Sequence, residues 1–184
     1  GIRFEVIVDV ELGGCSALWT VKSQPNVAAS TTIADSADGN ATDGFIIVGT
    51  KESTRILSTE DEGLDEWDST SEQRNDFVLD GPTLAAGNVA QGRRIVQVFP
   101  KGIRLLQTFI DDGKRGVRCT QEVFSDDTLD VGGLQVTLGV HICAVDICDP
   151  YILLRLSDGT LRLAQLDEES LKLVTSDVRV EGGV

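Results

Sequence analysis

An all-β fold of about three four-stranded antiparallel blades, WD40-like in arrangement, follows from three observations. First, strand-turn-strand units recur at residues 44–59 ("GFIIVGTKESTRILST"), 93–107 ("RRIVQVFPKGIRLLQ") and 150–166 ("PYILLRLSDGTLRLAQL"). Second, their starts are evenly spaced: Phe45, Ile95 and Ile152 lie 50 and 57 residues apart. Third, no segment of a dozen residues or so sustains the 3.6-residue apolar period of a helix. Four strands repeating about every 50 residues are the sequence signature of propeller blades.

The elements follow in chain order. In the first unit "CSALWTV" from Cys15 is a strand candidate, residues 44–59 form the central hairpin with its turn at Lys51-Glu52, and "GLDEWD" from Gly63 is a weaker fourth strand. In the second, "PTLAAGNV" from Pro82 precedes the hairpin and "QEVFS" from Gln121 follows it. Its turn, Pro100-Lys101-Gly102, combines a residue with φ fixed near −65° and one expected to supply positive φ. Ile95, Val96 and Val98, with Ile103, Leu105 and Leu106, are predicted to be core on both faces, as stacked blades require. In the third, "GVHICAVDI" from Gly139 and "SLKLVTS" from Ser170 flank the hairpin turned by Ser157-Asp158-Gly159. There Leu161 and Leu163 are expected to face the core and Arg162 the solvent, by strand alternation. The blades then run over about 11–76, 81–128 and 134–178. Residues 23–43, rich in Ser, Thr, Ala, Asn, Asp and Gly, read as a flexible loop too poor in apolar surface to offset ordering entropy. Residues 59–76 are acidic and expected to be half-ordered around Leu64 and Trp67.

The 184 residues, 41% hydrophobic, suffice for one domain with a sizeable core. With 30 acidic against 16 basic residues the formal charge is −14, which repels a free polyanion. Only Arg93-Arg94 and Lys114-Arg115 approach a basic cluster. No signal-peptide pattern or membrane-length apolar run occurs. Four irregularly spaced cysteines, Cys15, Cys119, Cys143 and Cys148, fit reduced thiols rather than a disulfide framework. Met is absent even at position 1, so the chain reads as a piece of a larger protein.

Every chemical candidate has a plainer reading. His141, Cys143, Asp146 and Cys148 would be the ligands of a zinc site, but one strand directs them to opposite faces and the paired-cysteine knuckle is missing. Cys119 as a nucleophile would need His141, the only histidine, as its base. "DDGKRG" at residues 111–116 lacks the glycine spacing and the hydroxyl residue of a phosphate loop and reads as a turn. "LDVGGLQVTLG" carries a Gly pair without a following helix. Trp19 and Trp67 could stack on bases, yet blade packing suits them better in so acidic a chain. Ser58 and Thr59, before an acidic run, form a weak phosphorylation pattern. Neither catalytic, cofactor-binding nor metal-binding residues are assigned.

"GPTLAAGNVAQGRRIVQVFPKGIRLL" (81–106) resembles the family of the largest subunit of the cleavage and polyadenylation specificity factor. "ELGGCSALWTV" (11–21), "DGFIIVGTKESTRIL" (43–57) and "DPYILLRLSDGTLRL" (149–163) are similar to further motifs of that family in the same order. Related propellers occur in the large damaged-DNA-binding subunit, a ubiquitin-ligase adaptor, and in a splicing-factor subunit. The Phe-Pro-Lys-Gly-Ile-Arg-Leu-Leu hairpin favours the polyadenylation branch; the departures are confined to loops, at 23–44 and 111–132. The resemblance implies about three blades of the middle propeller of a larger multi-propeller chain. It also implies a nuclear, non-enzymatic scaffold in pre-mRNA 3′-end processing. Such a scaffold holds the WD-repeat and zinc-finger subunits that read the AAUAAA signal and meets pre-mRNA mainly indirectly.

Overall fold

The computed structural model describes residues 9–24, 44–59, 63–124, 128–131, 134–137, 139–179 and 181. Most of the loop expected at 23–43 lies outside the described residues. All regular structure described is β, with no helix, and it comprises three four-stranded antiparallel sheets and a two-stranded ribbon.

The first sheet orders β1 (Ala17–Lys22), β2 (Gly44–Gly49), β3 (Thr54–Ser58) and β4 (Asp65–Trp67) side by side. The second orders β5 (Ala85–Val89), β6 (Arg94–Phe99), β7 (Gly102–Asp111) and β8 (Lys114–Phe124). The ribbon pairs β9 (Thr128–Val131) with β10 (Leu134–Thr137). The third sheet orders β11 (Ile142–Cys148), β12 (Tyr151–Leu156), β13 (Leu161–Asp167) and β14 (Lys172–Val178). Strands follow chain order because each is joined to the next by a short turn, the meander that a blade repeats. The first strands lie side by side, β1 against β5 and β5 against β11, and β8 approaches β14.

Two apolar cores fill the spaces between sheets. Phe45, Ile47, Ile56 and Trp67 of the first sheet meet Ile95, Leu106 and Val117 of the second. Val96, Val98, Ile103 and Leu105 of the second meet Ile152, Leu154, Ala164 and Leu166 of the third. Strand β6 is therefore buried along its whole length, with successive side chains serving different cores. This is the two-faced core predicted for residues 93–107. Each apolar side chain buried there contributes roughly 1.5–3 kcal/mol by leaving water. Phe45 is the aromatic centre of the first core, edge-on to Trp67 at 4.9 Å and to Phe77 at 5.5 Å.

Three local readings are corrected. The β6–β7 turn closes Phe99 onto Gly102, so only Pro100 and Lys101 lie in the loop. Gly102 is a paired strand residue and is not among the positive-φ glycines, so of the two expected turn-formers only Pro100 lies in the loop. The turn expected at 111–116 is present as a tight hairpin: Asp112 (φ 48°) and Gly113 (φ 72°) turn β7 into β8, pairing Asp111 with Lys114. Strand β8 thus begins at Lys114 and not near Gln121. In β13 it is Ala164 and Leu166 that are buried, while Leu161 and Leu163 are half-exposed on the other face. The cause is that a blade is apolar on both sides, and only one side of the third sheet meets another described sheet.

Candidate functional site

The described residues converge on joints between sheets rather than on a cleft with reactive groups. The joints are built from polar side chains that replace main-chain partners. At the end of β5, Asn88 receives the Lys22 N–H at 2.7 Å on Oδ1 and donates Nδ2 to the Lys22 carbonyl at 3.0 Å, tying the second sheet to β1. In β8, Gln121 does the same for Leu173 of β14: the Leu173 N–H reaches Oε1 at 2.6 Å and Nε2 reaches the Leu173 carbonyl at 3.0 Å. An amide side chain presents one donor and one acceptor side by side, the same pattern as a peptide unit. It can therefore continue a hydrogen-bond ladder across a gap the strands cannot close.

A third amide, Gln97, is fully buried. Its Oε1 accepts the Val78 N–H at 2.8 Å, and its Nε2 donates to the Val78 carbonyl at 2.9 Å and to Thr83 Oγ1 at 3.0 Å. It anchors the connection between the first and second sheets. Thr83 Oγ1 in turn meets Thr54 Oγ1 at 2.7 Å, carrying the network into β3.

A carboxylate makes the fourth joint. Asp149, in the β11–β12 turn, accepts the Ala90 and Gln91 N–H groups, each at 3.1 Å. Ala90 and Gln91 both hold positive φ (55° and 56°), a conformation that costs energy for residues with a Cβ. The two N–H groups point the same way in this conformation and make a small anion-binding concavity. Asp76, between the first two sheets, is bonded by Arg74 Nη2 at 3.0 Å and by the Cys119 N–H at 2.7 Å. Burial alone would raise its carboxyl. The Arg74 and Cys119 donors and the charges of Arg74 and Arg104 outweigh burial and hold it below the usual range.

The sequence candidates disperse. His141 is exposed before β11, its N–H on Ser157 Oγ at 3.1 Å, and Cys143, Asp146 and Cys148 are exposed along β11. Among the described residues no group of three or more His, Cys, Asp or Glu is placed to hold a metal. Cys119 packs toward the first sheet, its thiol pushed up by burial, while His141 precedes the third. Trp67 is core and Trp19 packs against that core, so neither is an open stacking platform. Ser58 is buried and bonded by Arg115, and Thr59 Oγ1 accepts the Gly44 N–H at 2.9 Å, so both hydroxyls serve the fold. Among the described residues no helix is long and apolar enough to cross a membrane.

Missed by the sequence reading were the structural roles of Asn88, Gln97, Gln121 and Asp149, although "GNV" and "DPY" contain two of them. Stacked four-stranded meanders joined by amide side chains define a class: this is a stretch of β-propeller. A family model described as the RSE1/DDB1/CPSF1 second beta-propeller matches residues 4–181. The chain is 32% identical over 188 aligned positions, 99% of its length, to "Cleavage and polyadenylation specificity factor subunit 1" of Arabidopsis thaliana, covering 12% of that protein. It is 30% identical to the Drosophila melanogaster protein of the same name over 91% of this chain and 9% of the relative. "Protein cft1" of Schizosaccharomyces pombe is 25% identical over 93% of this chain and 10% of the relative. The chain belongs to the RSE1/DDB1/CPSF1 second β-propeller family, and spans about a tenth of the length of these relatives.

Proposed function

We propose that this chain is a non-enzymatic scaffold segment of the complex that cleaves and polyadenylates pre-mRNA 3′ ends in the nucleus. It supports the WD-repeat and zinc-finger subunits that recognise the polyadenylation signal. The observation that carries this reading is the match, over nearly the whole chain, to relatives named as subunit 1 of the cleavage and polyadenylation specificity factor. The geometry agrees with it: buried polar side chains are spent on joining sheets, as a rigid support requires. Contact with pre-mRNA is mainly indirect, since a formal charge of −14 opposes phosphate binding. The blades occupy about 11–76, 81–128 and 134–178, and the β9–β10 ribbon straddles the second junction. On the outward face of the third sheet, Tyr151 and Val174 both pair with Gln165, and Leu153 pairs with Leu163. Tyr151, Leu153 and Val174 are 45%, 39% and 61% exposed, an apolar face suited to a further blade of the parent chain.

A second reading, a scaffold of the damaged-DNA-binding ubiquitin-ligase adaptor or splicing-factor branch, draws on the breadth of the family description itself. Affinity purification of the full-length parent from nuclear extract, with mass spectrometry of what is retained, separates the two. Recovery of the WD-repeat and zinc-finger polyadenylation subunits supports the first. Recovery of cullin or spliceosomal proteins in their place overturns it.

A further inference from the structure

Three guanidiniums, Arg93, Arg94 and Arg118, gather at one end of the second sheet, and among the described residues none of them forms an ion pair, although Glu72, Asp111 and Asp112 line the same hollow as Arg118. Arg94 opens β6 one position before Ile95, the last β6 residue registered with β7, where it faces Leu106. Continuing that register sets Arg94 opposite Gln107, and Gln107 is registered with Arg118 of β8. Alternation puts Arg94 on the side of Val96 and Val98, and Gln107 on the side of Ile103 and Leu105, which is the face toward the third sheet. Arg94, Gln107 and Arg118 therefore form a row across three strands on one face.

The row is short of negative charge. Arg94 is only 8% exposed; its Nη1 donates to the Arg93 carbonyl at 2.9 Å, and its Nε is buried with no hydrogen-bond partner. Arg118 aims Nε and Nη2 at Gln107 Oε1, at 3.1 and 2.9 Å, so a neutral amide stands where a carboxylate would neutralise the fork. The Phe109 ring lies under Arg118 at 5.5 Å and orients it further. Arg93 donates Nε to the Ala90 carbonyl at 3.1 Å. Asp149, the carboxylate of the third sheet at this end, is committed to the Ala90 and Gln91 N–H groups. Burial, and then the charges of Arg93 and Arg118, push the Arg94 guanidinium below its ordinary value. A buried cation facing two others is costly unless an anion joins it.

We propose that Arg94 and Arg118, with Arg93 beside them, receive one phosphorylated side chain of a partner polypeptide. A phosphomonoester brings roughly 1.5–2 negative charges and three acceptor oxygens, which suits an uncompensated arginine group better than a single carboxylate does. A nucleic-acid strand fits poorly, because the rest of this chain repels a run of phosphates. The inference stands independently of which complex the parent serves.

The test uses the full-length parent chain and a phosphoserine-centred peptide library with randomised flanks. An unphosphorylated library, a library with glutamate at the central position and a ten-nucleotide single-stranded RNA run in parallel. The wild type retains phosphopeptides over both other libraries by about tenfold or more, as expected from one or two charge-assisted bonds. R118Q reduces that retention about tenfold while leaving melting unchanged, and R94M does the same with some change in melting. Equal retention by wild type and R118Q overturns the proposal. So does retention of the glutamate library or of the RNA in preference to phosphopeptide.

Discussion

Replacing Gln97 by Leu isolates the buried amide joint. The side chain keeps about its volume but loses the acceptor for the Val78 N–H and the donor for the Val78 carbonyl. Thr83 keeps Thr54 as a partner, so two main-chain groups are orphaned and not three. A buried group left unpaired costs about 1–3 kcal/mol, and the apolar replacement recovers part of this, which gives a net loss of about 2–4 kcal/mol. Hydrogen–deuterium exchange of residues 77–84 in the parent chain reads the effect locally. With tenfold per ~1.4 kcal/mol, protection there falls about thirty- to several-hundred-fold. Protection in β11–β14 stays nearly unchanged. Loss below about threefold at Val78 refutes the reasoning, because the amide would then be replaceable by water or by main-chain shifts.

Removing the Asp149 carboxylate with D149A frees two N–H groups on residues already in a costly conformation, and stability falls by about 1–3 kcal/mol in urea titration, with D149N in between. The depressed Asp76 carboxyl gives stability that is present above its unfolded value, near 3.9, and is lost as pH falls through its lower folded value. Melting temperature therefore drops on acidification from about pH 5 toward pH 2, and D76N shows a shallower drop. Maleimide labelling followed by mass spectrometry finds Cys15, Cys143 and Cys148 modified well before Cys119. The first three are exposed, whereas the fourth is partly buried with a raised thiol.

The three central hairpins could be read from sequence because both faces of β2, β6 and β12 are largely apolar, and the turns of the second and third carry Pro, Asp or Gly. The β7–β8 hairpin was hidden by its own chemistry. "DDGKRG" resembles a degraded phosphate loop, yet Asp-Gly between β-rich runs is the stronger sign of a two-residue turn. Residues 128–131 and 134–137, which flank the Gly pair noted in the sequence, pair as two short antiparallel strands of their own. The joints were illegible for a different reason. Gln97 sits between Val96 and Val98, where alternation marks it as solvent-facing in any one-sided sheet. Only the connection through Val78, nineteen residues away in sequence, turns that position inward. Long-range partners of this kind leave no periodic trace.

The outer strands show how the sheets avoid templating unwanted association. In β8, the Val117 N–H donates to the Arg74 carbonyl at 2.8 Å and the Val117 carbonyl accepts from the Asp76 N–H at 3.1 Å, so the tail of the first sheet caps this edge as a parallel bridge. Strand β4 has three residues, too few to recruit a foreign strand. Strand β14 carries Lys172 near one end and Asp177 near the other, the latter 3.4 Å from Arg162. Capping, brevity and charge are separate defences against edge-to-edge aggregation, and a chain of repeated meanders needs one at every outer strand.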